Sequence, residues 1–531
     1  NIFMKENIQA PLESFIEYKA GTGMQCGNYS IDIPKLQDGE QYRFHFDATA
    51  CVGCRCCEVA CNEQNNNPAD IKWRRVGEME GGEFPLFTQM FNSMSCNHCI
   101  DPECLKGCPT NSYIKIDKTG IVVHEDDTCI GCQYCTWNCP YGVPTFHEER
   151  NIVTKCHMCH ERLDEGQTPA CVQACPSGAI EIEVVNVEKW LNEDMAKEAN
   201  MPFLPDASIT NSTTRYTLPD NLPKDMKEMD EHILKPAHSE LPLVFMTVLT
   251  QISLGGFLAL FLGDVMSIFG FESPNWIMAL LVLLPAAVGL PLSALHLGRP
   301  ILALTAMKNI KTSWLSREAL ALGIFTALMS VVTALYFLEV SQGTRLILEL
   351  VTFMVGVYGI YAQSMIYRIK ARPSWDRITT NMKFFGVAYI GVSMLGFVAL
   401  VFGILEITLP LISLAMLGAL AQVFFTYEDM RTLKSSTVNT YQLSRSARLY
   451  DENFNNIKVF RFVSIIFGGV FLPLLAIVFL SSSSFGIASI ALLLSLILIF
   501  ASELSDRFLF YSTVVPLGMA GGFFAGKQRG Y

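Results

Sequence analysis

No cysteine lies beyond Cys175, and no long apolar run lies before Leu241. The first absence confines any metal–thiolate site to the first part of the chain, and the second confines membrane-spanning helices to the rest. Charge is scarce as well: 17% of residues are Asp, Glu, Lys or Arg, and 39 basic residues face 50 acidic ones for a net charge of −11. A nucleic-acid surface needs a basic patch or stripe, so nucleic-acid binding is excluded. A disulfide framework requires an oxidising compartment, and nothing at the visible N-terminus has the pattern of a secretory signal, so such a framework is not expected, although the chain begins at Asn1 rather than at a methionine and a removed leader stays open.

The chain has 18 cysteines, and 16 of them stand in four runs. These are Cys51, Cys54, Cys57, Cys61; Cys96, Cys99, Cys104, Cys108; Cys129, Cys132, Cys135, Cys139; and Cys156, Cys159, Cys171, Cys175. The first and third have the CxxCxxCxxxC spacing that sets three thiolates around one cubane and sends the fourth to a neighbouring cluster. Proline follows three of the runs, as Pro109, Pro140 and Pro176. Four thiolates per cubane predict four [4Fe-4S] clusters, a short wire for electrons. The alternative is structural zinc, and Cys156-His157-Met158-Cys159-His160 resembles a zinc ribbon. Zinc has no use for a three-plus-one run with a trailing Cys-Pro, however. Cys26 and Cys56 are left over; Cys56 adjoins Cys57, and the CxxC spacing favours Cys57 as ligand.

Residues 186–238 hold neither cysteine runs nor a long apolar stretch and are read as a linker, either a tether or a surface wrap. Beyond them eight apolar segments follow, near 241–268, 276–297, 314–338, 346–369, 384–405, 407–427, 459–481 and 485–505. Each approaches or exceeds the roughly 20 residues a helix needs to cross the bilayer. Pro285, Pro291 and Pro473 fall inside segments, where kinks are expected. With eight spans, the N-terminal region and the even-numbered loops share one side. Those loops carry Arg299, Lys308 and Lys311; Lys370, Arg372, Arg377 and Lys383; and Arg431, Lys434, Arg445, Arg448 and Lys458, whereas the opposite side shows little beyond Arg345. Basic excess marks the cytoplasm, so the cysteine-rich region is expected there, on a multi-pass cytoplasmic-membrane protein.

These residues carry a family resemblance. Residues 45–185 resemble the four-cluster iron–sulfur (B) subunit of dimethyl sulfoxide reductase-type molybdopterin oxidoreductases. Residues 239–531, with Glu240-Leu241-Pro242-Leu243, Ser293-Ala294-Leu295-His296-Leu297-Gly298-Arg299-Pro300 and Trp314-Leu315-Ser316-Arg317-Glu318, resemble its membrane anchor (C) subunit. The resemblance implies that the two are fused, behind an N-terminal extension, 1–44. The resemblance implies an α+β double ferredoxin-like domain followed by an all-α domain of eight transmembrane helices. It also implies crossed ligation: Cys51, Cys54, Cys57 with Cys175; Cys156, Cys159, Cys171 with Cys61; Cys96, Cys99, Cys104 with Cys139; and Cys129, Cys132, Cys135 with Cys108.

A cluster wire on a membrane bundle calls for a lipid-soluble two-electron partner, a quinone, with menaquinone expected. His296 ends the second span on the cluster side, where an imidazole can bond a quinone oxygen and pass a proton. The resemblance marks it and Glu318, at the start of the third span, as quinol-site residues. The bland alternatives are a solvated interfacial histidine and a helix-terminal acid satisfied by the macrodipole. Arg299 either orients the site or follows the positive-inside bias. Nothing resembles a substrate pocket, so the chain is read as a non-catalytic electron-transfer subunit. Its catalytic partner is expected to be a molybdenum or tungsten molybdopterin protein; a flavoprotein or hydrogenase is the alternative.

Overall fold

The computed structural model describes residues 33–201, 204–229, 233–435 and 441–518, with the backbone of three short strands at 16–17, 24–26 and 29–31. The side chain of Cys26 and most of the N-terminal extension lie outside the described residues.

The cysteine-rich region is built from short strands and one- to three-turn helices, because two- and three-residue ligand spacings leave no room for longer ones. Glu40–Asp47 is the centre of a three-stranded sheet, antiparallel to Ile180–Asn186 and parallel to Arg215–Thr217. Its two-residue period turns Phe44 and Phe46 into the core, while Arg43 and His45 face Glu183 and Glu181. Three hairpins, at 75–94, 113–124 and 145–154, complete this ferredoxin-like region.

The described residues between 186 and 238 wrap this region closely. Besides the strand Arg215–Thr217, Lys227–Glu228 extends the 75–94 hairpin. Thr213 donates to the Asn97 carbonyl at 2.7 Å, and Thr210 reaches the Cys99 sulfur at 3.1 Å.

Among the described residues, eight helices are long and apolar enough to cross a membrane: Leu241–Ser267, Trp276–His296, Trp314–Phe337, Gln342–Ile366, Ile378–Val401, Leu405–Lys434, Asn455–Ser481 and Phe485–Ser512. The first is the most enclosed, and the second, fourth, fifth and eighth pack against it. Pro285 has an identifiable effect. Ser253 on the first span inserts between Val282 and Ala286 of the second, donating to the Val282 carbonyl at 2.7 Å and accepting from the Ala286 N–H at 2.8 Å. A side chain within the helix ladder is a recognised cause of a kink. Before Pro473 the seventh span loosens into a π turn, Phe467–Phe471, and Ser495 donates to the Gly468 carbonyl at 2.5 Å.

Candidate functional site

The sixteen run cysteines gather in four groups. Cys61 lies within electrostatic reach of Cys156, Cys171 and Cys159. Cys104 has Cys139, Cys96 and Cys99 around it, and Cys135 has Cys132, Cys129 and Cys108. Cys51 faces Cys175 and Cys54. In three of these groups the last cysteine of one run stands with the first three of another; in the fourth, Cys175 stands with Cys51 and Cys54. Cys57 is turned inward, 3.4 Å from Ser93 Oγ and near Arg74 and Cys171, while Cys56 sits exposed beside Cys54 and Cys175.

These groups test the zinc alternative. Tetrahedral zinc with Zn–S near 2.3 Å requires sulfurs about 3.8 Å apart. Among the described residues no three cysteine sulfurs lie within 4.8 Å of one another. The spread donor sets enclose voids, one lined by Cys96, Cys99, Cys104 and Cys139, another by Cys61, Cys156, Cys159 and Cys171. All-thiol sets around a gap too wide for one ion fit an iron–sulfur cubane. Burial, then mutual repulsion, pushes the Cys159 thiol up to about 12, and burial pushes Cys57 up to about 11. Such thiolates need positive charge between them.

Part of that charge comes from the protein itself. Arg74, 2% exposed, donates to the Ser93 carbonyl and to Ser95 Oγ, and its guanidinium stacks 4.6 Å over Phe44 beside Cys171, Cys57, Cys156 and Cys61. Buried Lys155 donates to the carbonyls of Val122 and Cys156 near Cys96. His98 accepts from the Val122 N–H through Nδ1 at 3.1 Å, which leaves the proton on Nε2, 4.0 Å from Cys156 Sγ. Burial, reinforced by the Lys155 charge, lowers its pKa and keeps it neutral. The sequence singles out none of the three; only Lys155, adjacent to Cys156, carries a local signal.

The anchor grips the second and third cysteine runs. Backbone N–H groups of Gly298 and Arg299 donate to the carbonyls of Gly131 and Ile130, and Arg299 Nη1 donates to the Asp126 carbonyl at 2.9 Å. Arg299 is therefore a docking residue in this structure. Asn309 Nδ2 donates to the Cys108 carbonyl at 2.8 Å, and Ser313 Oγ to the Gly107 carbonyl at 2.7 Å. Tyr134, inside the third run, donates to the Ile366 carbonyl at 3.1 Å, and Trp137 packs against Tyr367, Trp375 and Tyr511. The approach at Gly298 leaves no room for a side chain, since a Cβ there would lie 2.1 Å from the Asn151 carbonyl oxygen. Gly298→Ala is expected to weaken the docking by about 1–3 kcal/mol, the usual cost of overpacking. Hydrogen exchange should rise at residues 129–135 while helix content by circular dichroism stays unchanged.

Beside this grip is a cavity of about 450 Å³, walled by Thr136, Trp137 and Cys139 on one side and Glu240, Leu295 and His296 on the other. His296 Nδ1 is buried and has no hydrogen-bond partner among the described residues. Glu318 does not line this cavity. It is buried within the bundle, its Oε1 accepting from Gln363 Nε2 at 3.0 Å. His296 and Glu318 thus occupy the same end of the bundle in separate environments.

Comparison with known proteins matches residues 87–185 to a 4Fe-4S dicluster domain and residues 235–513 to the DMSO reductase anchor subunit (DmsC). The B subunit of the anaerobic dimethyl sulfoxide reductase of Escherichia coli (strain K12) is 36% identical over 170 residues, 30% of this protein and 82% of the relative. Its counterpart of the same name from Haemophilus influenzae is 36% identical over 181 residues, 32% of this protein and 86% of the relative. The iron–sulfur subunit of the nitrate-inducible formate dehydrogenase of Escherichia coli (strain K12) is 36% identical over 172 residues, 29% of this protein and 55% of the relative.

Proposed function

The protein belongs to the DMSO reductase anchor subunit (DmsC) family, with an iron–sulfur electron-transfer region of the B-subunit type fused ahead of the anchor, and from that premise we propose how it works. It holds four [4Fe-4S] clusters and passes electrons between a membrane quinone, menaquinone, and a separate molybdopterin subunit carrying molybdenum or tungsten. The ligand sets are Cys51, Cys54, Cys57, Cys175; Cys61, Cys156, Cys159, Cys171; Cys96, Cys99, Cys104, Cys139; and Cys108, Cys129, Cys132, Cys135. Bound clusters supply one-electron steps between the two-electron chemistries at either end.

The observation that carries the reading is the shared wall of the cavity, where His296 of the anchor and Cys139 of the third run line one space. Oxidation of one quinol releases two electrons and two protons. His296, with Nδ1 unpartnered, accepts one proton, and Glu318 handles the other from within the bundle. Tyr134 and Trp137 join the third run directly to the bundle.

Anaerobic purification in mild detergent, with mass spectrometry and metal analysis, tests the partner. A large co-purifying protein with molybdenum or tungsten is expected; a flavoprotein or hydrogenase without either metal would contradict it. Basic residues concentrate in the loops that meet the cluster region, so that face is cytoplasmic in this account. Alkaline phosphatase fused after residue 340 should be active in cells and fused after residue 310 inactive; the reverse pattern would place the clusters outside.

A further inference from the structure

The other half of the bundle reaches Glu318 through a directed series of hydrogen bonds. Arg507 on the eighth span donates from Nη2 to Gln251 Oε1 on the first at 3.1 Å. Gln251 Nε2 donates to Gln363 Oε1 on the fourth at 2.8 Å, and Gln363 Nε2 donates to Glu318 Oε1 on the third at 3.0 Å. All four side chains are buried. An amide can be drawn either way round, and its orientation is normally an assignment. A guanidinium, however, has donors only. Arg507 therefore requires the oxygen of Gln251, which leaves Gln251 only N–H to offer Gln363. Gln363 in turn must present its oxygen to Gln251 and its N–H to Glu318. Reversing either amide would set donor against donor where water does not reach.

We propose that Arg507 is a positioning residue that acts through Gln251 and Gln363 to hold Glu318 Oε1 as a hydrogen-bond acceptor, leaving Oε2 to take and release the proton. This rests on the reading of Glu318 as a proton-handling group. Arg507 is itself fixed, its guanidinium lying 3.8 Å over the Phe384 ring. Beside it is a buried ionic cluster in which Asp506 meets Lys383 and Arg461, each at 2.9 Å, and Glu503 accepts from Tyr389 at 3.3 Å. Neighbouring elements bring three other ionisable groups within reach of Glu318: Tyr134 of the third cysteine run, Tyr367 at the end of the fourth span and Tyr511 of the eighth. Tyr367 and Tyr511 are bonded to each other at 2.5 Å, and Tyr134 to the Ile366 carbonyl. Thr250 Oγ1 shares the Gln363 amide at 3.2 Å.

The test is the pH profile of quinol-driven cluster reduction in the full-length protein, for Glu318→Gln, Gln251→Leu, Arg507→Met and the double variant. Glu318→Gln should remove the Glu318 step from the acid limb of the profile and leave only that of His296. Gln251→Leu and Arg507→Met should each move the Glu318 step upward by about one pH unit, because a carboxylate that loses a fixed donor protonates more readily. The double variant should move it no further, since the series is broken at either link. An acid limb that is unchanged in Glu318→Gln would sink the underlying role of Glu318. A step lost there but unmoved in Gln251→Leu, with the rate merely lowered at every pH, would overturn the positioning series alone. Gln251→Leu leaves Asp506, Lys383 and Arg461 untouched, so the test stands even if Arg507→Met fails to insert.

Discussion

Cys132→Ser is expected to slow the exchange of the remaining clusters with quinone, whereas Cys54→Ser leaves that exchange intact. The difference follows from where the two residues lie. Cys132 packs against the core of the anchor, and its neighbours Ile130, Gly131 and Tyr134 are bonded to the loop after the second span or to the end of the fourth. Cys54 is exposed, with Val52 and Val59 also exposed beside it, on a run that makes none of these contacts. If each cage holds one cubane, either substitution removes about a quarter of the iron, yet only the first removes a cluster held against the anchor. Iron analysis and the rate at which quinone reoxidises the reduced clusters separate the two. Normal quinone exchange in Cys132→Ser would show that electrons enter elsewhere.

His296→Ala is expected to slow quinone exchange by roughly 10²-fold or more, the usual contribution of a positioned acid–base group. Iron content should not change, because His296 lies outside the cysteine groups and contacts them only across the cavity. Its Nδ1 is buried without a partner among the described residues, an arrangement that costs stability unless a ligand supplies a hydrogen bond. The same substitution should therefore leave the thermal midpoint of the quinone-free protein unchanged or raise it, while abolishing any stabilisation by added quinone. An unchanged exchange rate would remove His296 from the site.

The cysteine runs and the eight spans were legible in the sequence because both are imposed by short-range rules: ligand spacing around a cubane, and the apolar length needed to cross a bilayer. The ends of the spans were less so. The fifth begins at Ile378 rather than near 384, and the eighth continues to Ser512 rather than near 505. Charged residues that end a hydropathy window, Lys383 at one and Asp506 and Arg507 at the other, are paired inside the bundle, so the helices run through them. Contacts between distant segments left no local trace. Nothing near Gly298 announced that its backbone would lie against Asn151 and Gly131, and Arg74 gave no sign of sitting among four cysteines. Residues 186–238 have the composition of a tether yet supply a strand and a hydroxyl to the cysteine-rich region, because the sheet edge they fill lies far away in sequence. Cys56 remains a near neighbour of Cys54 and Cys175, and Cys56→Ser, which should retain all the iron, separates it from Cys57.

The most direct test of the central claim is to reduce the clusters of the anaerobically purified protein with dithionite, remove the excess, add a soluble menaquinone analogue and follow the clusters by electron paramagnetic resonance. Prompt reoxidation is expected in the unaltered protein and little in His296→Ala. Clusters that stay reduced in the unaltered protein with quinone present would contradict that claim.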